Sequence, residues 1–313
     1  MSSLIWLQAG GCSGDTMALL CAEQPDITEF IKQTGLELLW HPSLSSKSPA
    51  AFQREIDEIA KGGRELTVLC VEGSIETGPN GTGYYDTIFG RPKSELIRAL
   101  SLAAAYVVAV GTCASFGGVT AAYPNPTDAT GLQFRQYNPG GLFDSGWRAK
   151  SGLPVVNISG CPAHPQTVVG VLGMLLKNRP LDLNQWNMPS EYYQTLVHQG
   201  CTRNEYHEYD AEETQFGHEG CLFFNLGCQG PLTLATCNSQ LWNQRSSKTR
   251  AGVPCLGCTM PDFPRAAPLF STEKVGEVPV ILPLGVSRPN YMAYKGLAQA
   301  AAPERIANRR MKP

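Results

Sequence analysis

The sequence predicts an α/β chain in two parts, a doubly wound parallel sheet over residues 1–180 and a loop-rich, cluster-stabilised domain over residues 181–313. Three observations predict it. Short β-rich runs alternate with longer helix-like stretches through the first half. After about Pro180 neither period holds for long, and Pro, Gly, Asn and Cys become frequent. Eleven cysteines are spread over both halves. With 313 residues, 42% hydrophobic and 17% charged, the chain is long enough for two cores.

In chain order, strands are expected over residues 4–7, 36–40, 66–71, 106–110 and 153–158, and helices over 51–61, 94–105 and 165–177. The last two helices carry apolar residues at helical spacing. Strand–helix alternation of this kind gives a parallel sheet covered on both faces, so the first domain reads as flavodoxin-like. Segment 296–313, with Arg305, Arg309, Arg310 and Lys312, reads as a solvated tail. No internal repeat is present.

A formal charge of −2 and a pI near 6.2 leave no basic footprint, so neither nucleic acid nor an electrostatic membrane anchor is expected. No stretch approaches the roughly 18–20 apolar residues of a membrane span. The N-terminus runs straight into a strand, so neither a signal peptide nor a twin-arginine leader is expected. The expected location is cytoplasmic, with peripheral membrane association left open. In a reducing compartment an odd number of cysteines points to ligation rather than disulfides.

Cys12, Cys113 and Cys161 each follow a different predicted strand within a few residues, at the carboxyl edge where open α/β sheets gather ligands. Each lies in a Gly-rich turn, where backbone amides can approach a cluster and donate to its sulfides. Residues 10–16 also resemble a phosphate-binding turn. That alternative leaves Cys113 and Cys161 unexplained, and the loop lacks the Gly-Lys-Ser/Thr ending of a P-loop.

The second half is denser. His198 and Cys201 form an H-x-x-C pair, Cys221, Cys228 and Cys237 follow, and Cys255 and Cys258 form a C-x-x-C. Seven donors are too many for one tetrahedral zinc, but they fit one four-ligand and one three-ligand site. The rival is a zinc-stabilised interaction module. Cys21 and Cys70 read as small buried hydrophobes.

Four blocks then bring the chain close to a known family. They are Gly11-Cys12-Ser13-Gly14, Val71-Glu72-Gly73-Ser74-Ile75 with Gly111-Thr112-Cys113-Ala114, Gly160-Cys161-Pro162-Ala163-His164-Pro165, and Gly227-Cys228-Gln229-Gly230-Pro231 through Pro254-Cys255-Leu256-Gly257-Cys258. In this order and spacing, over residues 4–263, the sequence resembles the small subunit of the nickel–iron hydrogenases. The sister class is the electron-transfer subunit of respiratory quinone-linked complexes. Its members usually lack the second cluster-bearing domain.

The resemblance implies a proximal [4Fe-4S] cluster on Cys12, Cys113 and Cys161. The family's first motif is C-x-x-C, and here Asp15 stands at its second cysteine. Either Asp15 is a carboxylate ligand, or the cluster has three protein ligands and Asp15 caps the helix that follows. The resemblance further implies a distal [4Fe-4S] cluster on His198, Cys201, Cys221 and Cys228, and a medial [3Fe-4S] cluster on Cys237, Cys255 and Cys258. Glu72 and His164 are expected beside the proximal cluster or at the subunit interface, not as catalytic groups. The extra cysteines of some oxygen-tolerant relatives correspond to Gly14 and Gly118 here. The implied partner is a large subunit holding the nickel–iron centre, and electrons from H2 would leave for an external acceptor. The spacing from Cys221 to Cys228 resembles the cytoplasmic uptake branch.

Overall fold

The computed structural model describes residues 2–265 and 268–308. The chain divides into two compact units, Met1–Glu191 with Thr259–Phe263, and Tyr192–Cys258 with Pro264–Pro313.

The first unit is built on strands β1 (Ser3–Gln8), β2 (Glu37–Trp40), β3 (Leu66–Glu72), β4 (Ala104–Val110) and β5 (Val156–Ile158). All pair in parallel, in the order β2-β1-β3-β4-β5, which is the doubly wound arrangement. The strands are near-continuous apolar runs because both faces are covered. Ile5, Leu7, Leu69, Val71, Val107 and Ala109 share a core with Phe52, Ile56 and Ile59 of α3 (Pro49–Ala60) and Leu96, Ile97 and Leu100 of α4 (Lys93–Ala103). Their alternates Trp6, Val68, Cys70 and Val108 are equally buried. Helices α1 (Gly14–Leu20) and α2 (Ile27–Thr34) pack against α6 (Pro165–Leu176), while α3 packs against α4. A short α5 (Gly111–Phe116) follows β4 directly.

Local signals explain the helix starts. Ser48 caps α3 by accepting from Ala51 N–H, with Pro49 in its first turn, and Pro165 opens α6. Helix α2 is not among the elements expected from the sequence. It buries only Phe30, which gives little apolar periodicity, yet Asp26 caps it and Gly35 ends it in the left-handed region at φ 60°. Cys70 is buried as expected, but Cys21 is not. It sits exposed at the C-cap of α1, beside the exposed Leu20.

The second unit has little regular structure: a helical turn at Asn204–Glu208, a 3-10 turn at Gly230–Leu232, a small ribbon pairing Lys274–Val275 with Val278–Pro279, and helices Arg288–Ala300 and Glu304–Ala307. Its core joins Val197, Leu222, Phe223, Phe224, Leu226 and Ala235 with Cys221, Cys228 and Cys255. The expected solvated tail is corrected here. Residues 296–308 are largely helical, Ile306 is wholly buried, and Arg305 pairs with Glu205. Arg309, Arg310 and Lys312 lie outside the described residues. No helix among the described residues is long and apolar enough to cross a membrane.

Candidate functional site

In the first unit the sheet order reverses between β1 and β3, and Cys12 follows β1 at that switch point. Cys113 lies in α5 after β4, and Cys161 follows β5. The loops are tied to one another. Gly10 N–H donates to Ser74 O (2.9 Å) and Ser74 N–H to Gly10 O (2.8 Å). Thr112 N–H donates to Gly160 O (2.8 Å), and Gly160 N–H donates to Thr112 Oγ1 (3.0 Å).

Asp15 stands among them. Ala163 N–H donates to its Oδ1 at 2.6 Å, and its Oδ2 fills the space that a Cβ on Gly111 would need. Any larger residue at 111 would therefore drive this carboxylate out, and φ +84° there also favours glycine. Burial pushes the Asp15 carboxyl up to about 7; the Ala163 N–H opposes this and the Glu72 charge adds to it. Asp15 is not the helix cap. Ser13 occupies that position, and Asp15 lies in the first turn with its side chain directed at Ala163.

Glu72, the last residue of β3, is buried and holds this region in place. Its Oε1 accepts from Asp15 N–H and Thr16 N–H, each at 3.0 Å, and its Oε2 accepts from Trp6 Nε1–H at 2.9 Å and from the Thr16 hydroxyl. His164 is buried at the N-cap position of α6. The Cys113 thiol is raised by burial above all; backbone N–H groups of Val119 and Thr120 directed at its sulfur oppose the shift, and Asp15 and Cys12 add to it. The two glycines expected to correspond to the extra cysteines lie beside sulfurs of two of the expected ligands. A Cβ on Gly14 would stand 3.1 Å from Cys12 Sγ, and one on Gly118 2.7 Å from Cys113 Sγ.

In the second unit His198, Cys201, Cys221 and Cys228 line one small cavity, together with Arg203 and apolar walls. Backbone amides point at these sulfurs. Arg203 N–H donates to Cys201 Sγ (3.4 Å), Cys255 N–H to Cys228 Sγ (3.3 Å), and Phe223 N–H is directed at Cys221. The Cys237 and Cys255 thiols are raised by burial above all, with the nearby Cys258 adding to both, and a Trp242 side-chain hydrogen bond reaches Cys237. Burial pushes Cys228 up to about 11 and Cys237 up to about 12. Such thiols are protonated at neutral pH, so binding a positively charged group here must release protons. Among the described residues no three His, Cys, Asp or Glu side chains converge at the spacing of a single metal ion. Buried thiols with inward amides around a cavity suit a polynuclear cluster, whose sulfides and thiolates accept such hydrogen bonds.

Sequence reasoning missed His207. Its Nδ1 lies 3.4 Å from Cys221 Sγ and its ring 4.4 Å from that of His198. Burial lowers its pKa to about 3, with His198 contributing. No spacing rule marks it, because the contact exists only through the fold. His198 and His207 also line a second, larger cavity of about 360 Å3 with Tyr291, Tyr294, Lys295 and Leu284.

A parallel sheet with thiol-bearing loops at its carboxyl edge, joined to a cysteine-cored second unit, defines an iron–sulfur electron-transfer protein. Comparisons with known proteins narrow this. Residues 193–271 match the family of C-terminal domains of the NiFe/NiFeSe hydrogenase small subunit, and residues 12–175 match the family "NADH ubiquinone oxidoreductase, 20 Kd subunit". The F420 non-reducing hydrogenase II small subunit of Methanosarcina mazei is 30% identical over 86% of this chain and 75% of its own length. The periplasmic [NiFe] hydrogenase small subunit of Solidesulfovibrio fructosivorans is 32% identical over 83% and 78%. Among solved structures, the actinobacterial-type NiFe-hydrogenase of Ralstonia eutropha H16 superposes with a TM-score of 0.79 at 27% identity, covering 97% of this chain and 92% of that one. The Ni-Fe-Se hydrogenase of Desulfomicrobium baculatum gives 0.76 at 29% identity, covering 87% and 99%.

The chain belongs to the small subunits of the nickel–iron hydrogenases. It serves an oxidoreductase acting on H2, carries electrons through iron–sulfur clusters, and pairs with a large subunit that contains the active site.

Proposed function

We propose that this chain holds three clusters: a proximal [4Fe-4S] on Cys12, Asp15, Cys113 and Cys161, a medial [3Fe-4S] on Cys237, Cys255 and Cys258, and a distal [4Fe-4S] on His198, Cys201, Cys221 and Cys228. What carries the assignment is the cavity onto which all four distal donors open. Bound there, the clusters supply one-electron stations between the partner's nickel–iron centre and an external acceptor. The protein's share is to hold them apart, keep water from the sulfurs and direct amide N–H groups at the thiolates. Glu72 and His164 act by supporting the proximal loops and the face that meets the large subunit. The His198 end is the exit, since its ring borders the larger cavity.

One observation favours a second role for Asp15. Its bond to Ala163 N–H braces the loops after β1 and β5 whether or not the carboxylate binds iron. A carboxylate has lone pairs enough for both.

We further infer a cytoplasmic uptake-type enzyme that favours H2 oxidation, on the strength of the Cys221–Cys228 spacing. Cell fractionation and redox-dye assays in both directions test this. Strong H2 production or an exported complex would overturn it.

The decisive measurement is iron and acid-labile sulfide on the anaerobically purified complex. About eleven irons beyond the catalytic one, with about twelve sulfides, supports the set. About ten irons with the same sulfide removes Asp15 from it, and zinc without sulfide rejects it altogether.

A further inference from the structure

We propose that His207 is a positioning residue that donates a hydrogen bond to the sulfur of Cys221 and so raises the reduction potential of the distal site. The inference rests on the distal cluster assigned above. His207 lies in the short helix Asn204–Glu208, and its ring stacks on Phe224 (5.2 Å, 16°) and meets Phe223 (5.4 Å) and His198 (4.4 Å) edge-on. Three aromatic neighbours fix the ring plane, and in that plane Nδ1 points at Cys221 Sγ, 3.4 Å away. His207 touches two proposed ligands, Cys221 and His198, and is not among the residues that line the smaller cavity.

The chemistry of Cys221 decides the direction of the bond. A thiolate that binds iron has no proton and can only accept, so the shared hydrogen must belong to Nδ1 of His207. Hydrogen bonds to ligand sulfurs favour the more negative, reduced state of a cluster and raise its potential. Cys201 and Cys228 receive backbone amides at 3.4 and 3.3 Å, whereas a side-chain donor is supplied to Cys221 in addition to the amide of Phe223. That donor can be removed by substitution without altering the main chain.

The test uses the complex with its large subunit in wild-type, His207→Phe, His207→Leu and His207→Asn forms. EPR-monitored redox titration follows the cluster whose signal carries nitrogen coupling from a histidine ligand, and iron and sulfide are measured alongside. Phenylalanine and leucine keep bulk but no donor, whereas Asn places an N–H near the Nδ1 position. We expect the one-electron reduction constant of this cluster to fall about tenfold (~59 mV to more negative potential) in the Phe and Leu forms, with iron content kept and most of the shift restored by Asn. An unchanged potential in a donor-less form that retains its iron would overturn the proposal. So would loss of iron in all three variants, which would make His207 a packing residue only. Loss in the Phe and Leu forms with a wild-type potential in the Asn form would support it. A wild-type complex with no nitrogen-coupled cluster would remove the distal assignment itself, and this inference with it.

Discussion

Glu72 and Thr16 are joined two ways: the Thr16 backbone N–H donates to Glu72 Oε1 at 3.0 Å and its hydroxyl donates to Oε2, while the neighbouring Asp15 N–H shares Oε1. The carboxylate at the end of β3 thus satisfies free amides at the start of α1 that helix geometry leaves without partners. It also fixes the turn bearing Cys12.

Glu72→Ala leaves the Trp6 indole and the α1 amides with no acceptor in a buried place. We expect a loss of about 3 kcal/mol in unfolding free energy, read by denaturant titration, with Glu72→Gln losing less. An unchanged midpoint for the Ala form would mean that the contact carries no stability.

Gly118→Ala tests the crowding behind Cys113. The added methyl would stand 2.7 Å from Cys113 Sγ in a left-handed backbone at φ +54°. Iron and sulfide should fall by roughly one cluster's worth, with the second unit's clusters kept. Full iron content would show that the loop yields.

Asp15→Cys and Asp15→Asn separate ligation from bracing. Asparagine keeps an acceptor for Ala163 N–H but no anionic oxygen for iron. If Asp15 is a ligand, both variants should change the proximal EPR signal, and the Asn form should lose iron more readily. Identical spectra and potentials in the Cys form would leave Asp15 with the brace alone.

Much of the fold is legible in the sequence. The central strands are readable because both sheet faces are buried there, which writes them as nearly continuous apolar runs such as residues 66–71 and 106–110. Helix α2 is not, since a surface helix that buries one Phe leaves almost no period. The Asp26 cap with Glu29 three residues later, and Gly35 after the end, are the signals that would have found it. The donors Cys12, Cys113 and Cys161 stand out by their turns. The Glu72 network and His207 do not, because each joins residues brought together only by folding.

Removing the clusters should affect the two units unequally. The first has a continuous core between sheet and helices, while the second has a small one in which three cysteines take part. Chelation under denaturant-free conditions should abolish amide hydrogen-exchange protection across residues 196–258 and leave β1, β3 and β4 protected. Equal loss in both units would refute this.

Ile306→Ala removes the one wholly buried side chain of the terminal helices among the described residues. A cost of about 2–4 kcal/mol is expected, seen as early melting of the second unit with the sheet unaffected. No change would mean that the terminal helices carry no stability.

The Ala163–Asp15 bond spans 148 residues of sequence, whereas the proposed ligands of the second unit all fall within residues 198–258. The two kinds of site therefore mature on different schedules. A nascent second unit meets all its donors over a short stretch of chain, while the proximal site does not exist until β5 has docked beside β4 and the whole sheet has closed. Filling of the proposed site at Cys12, Cys113 and Cys161 would thus require a first unit whose sheet is already complete.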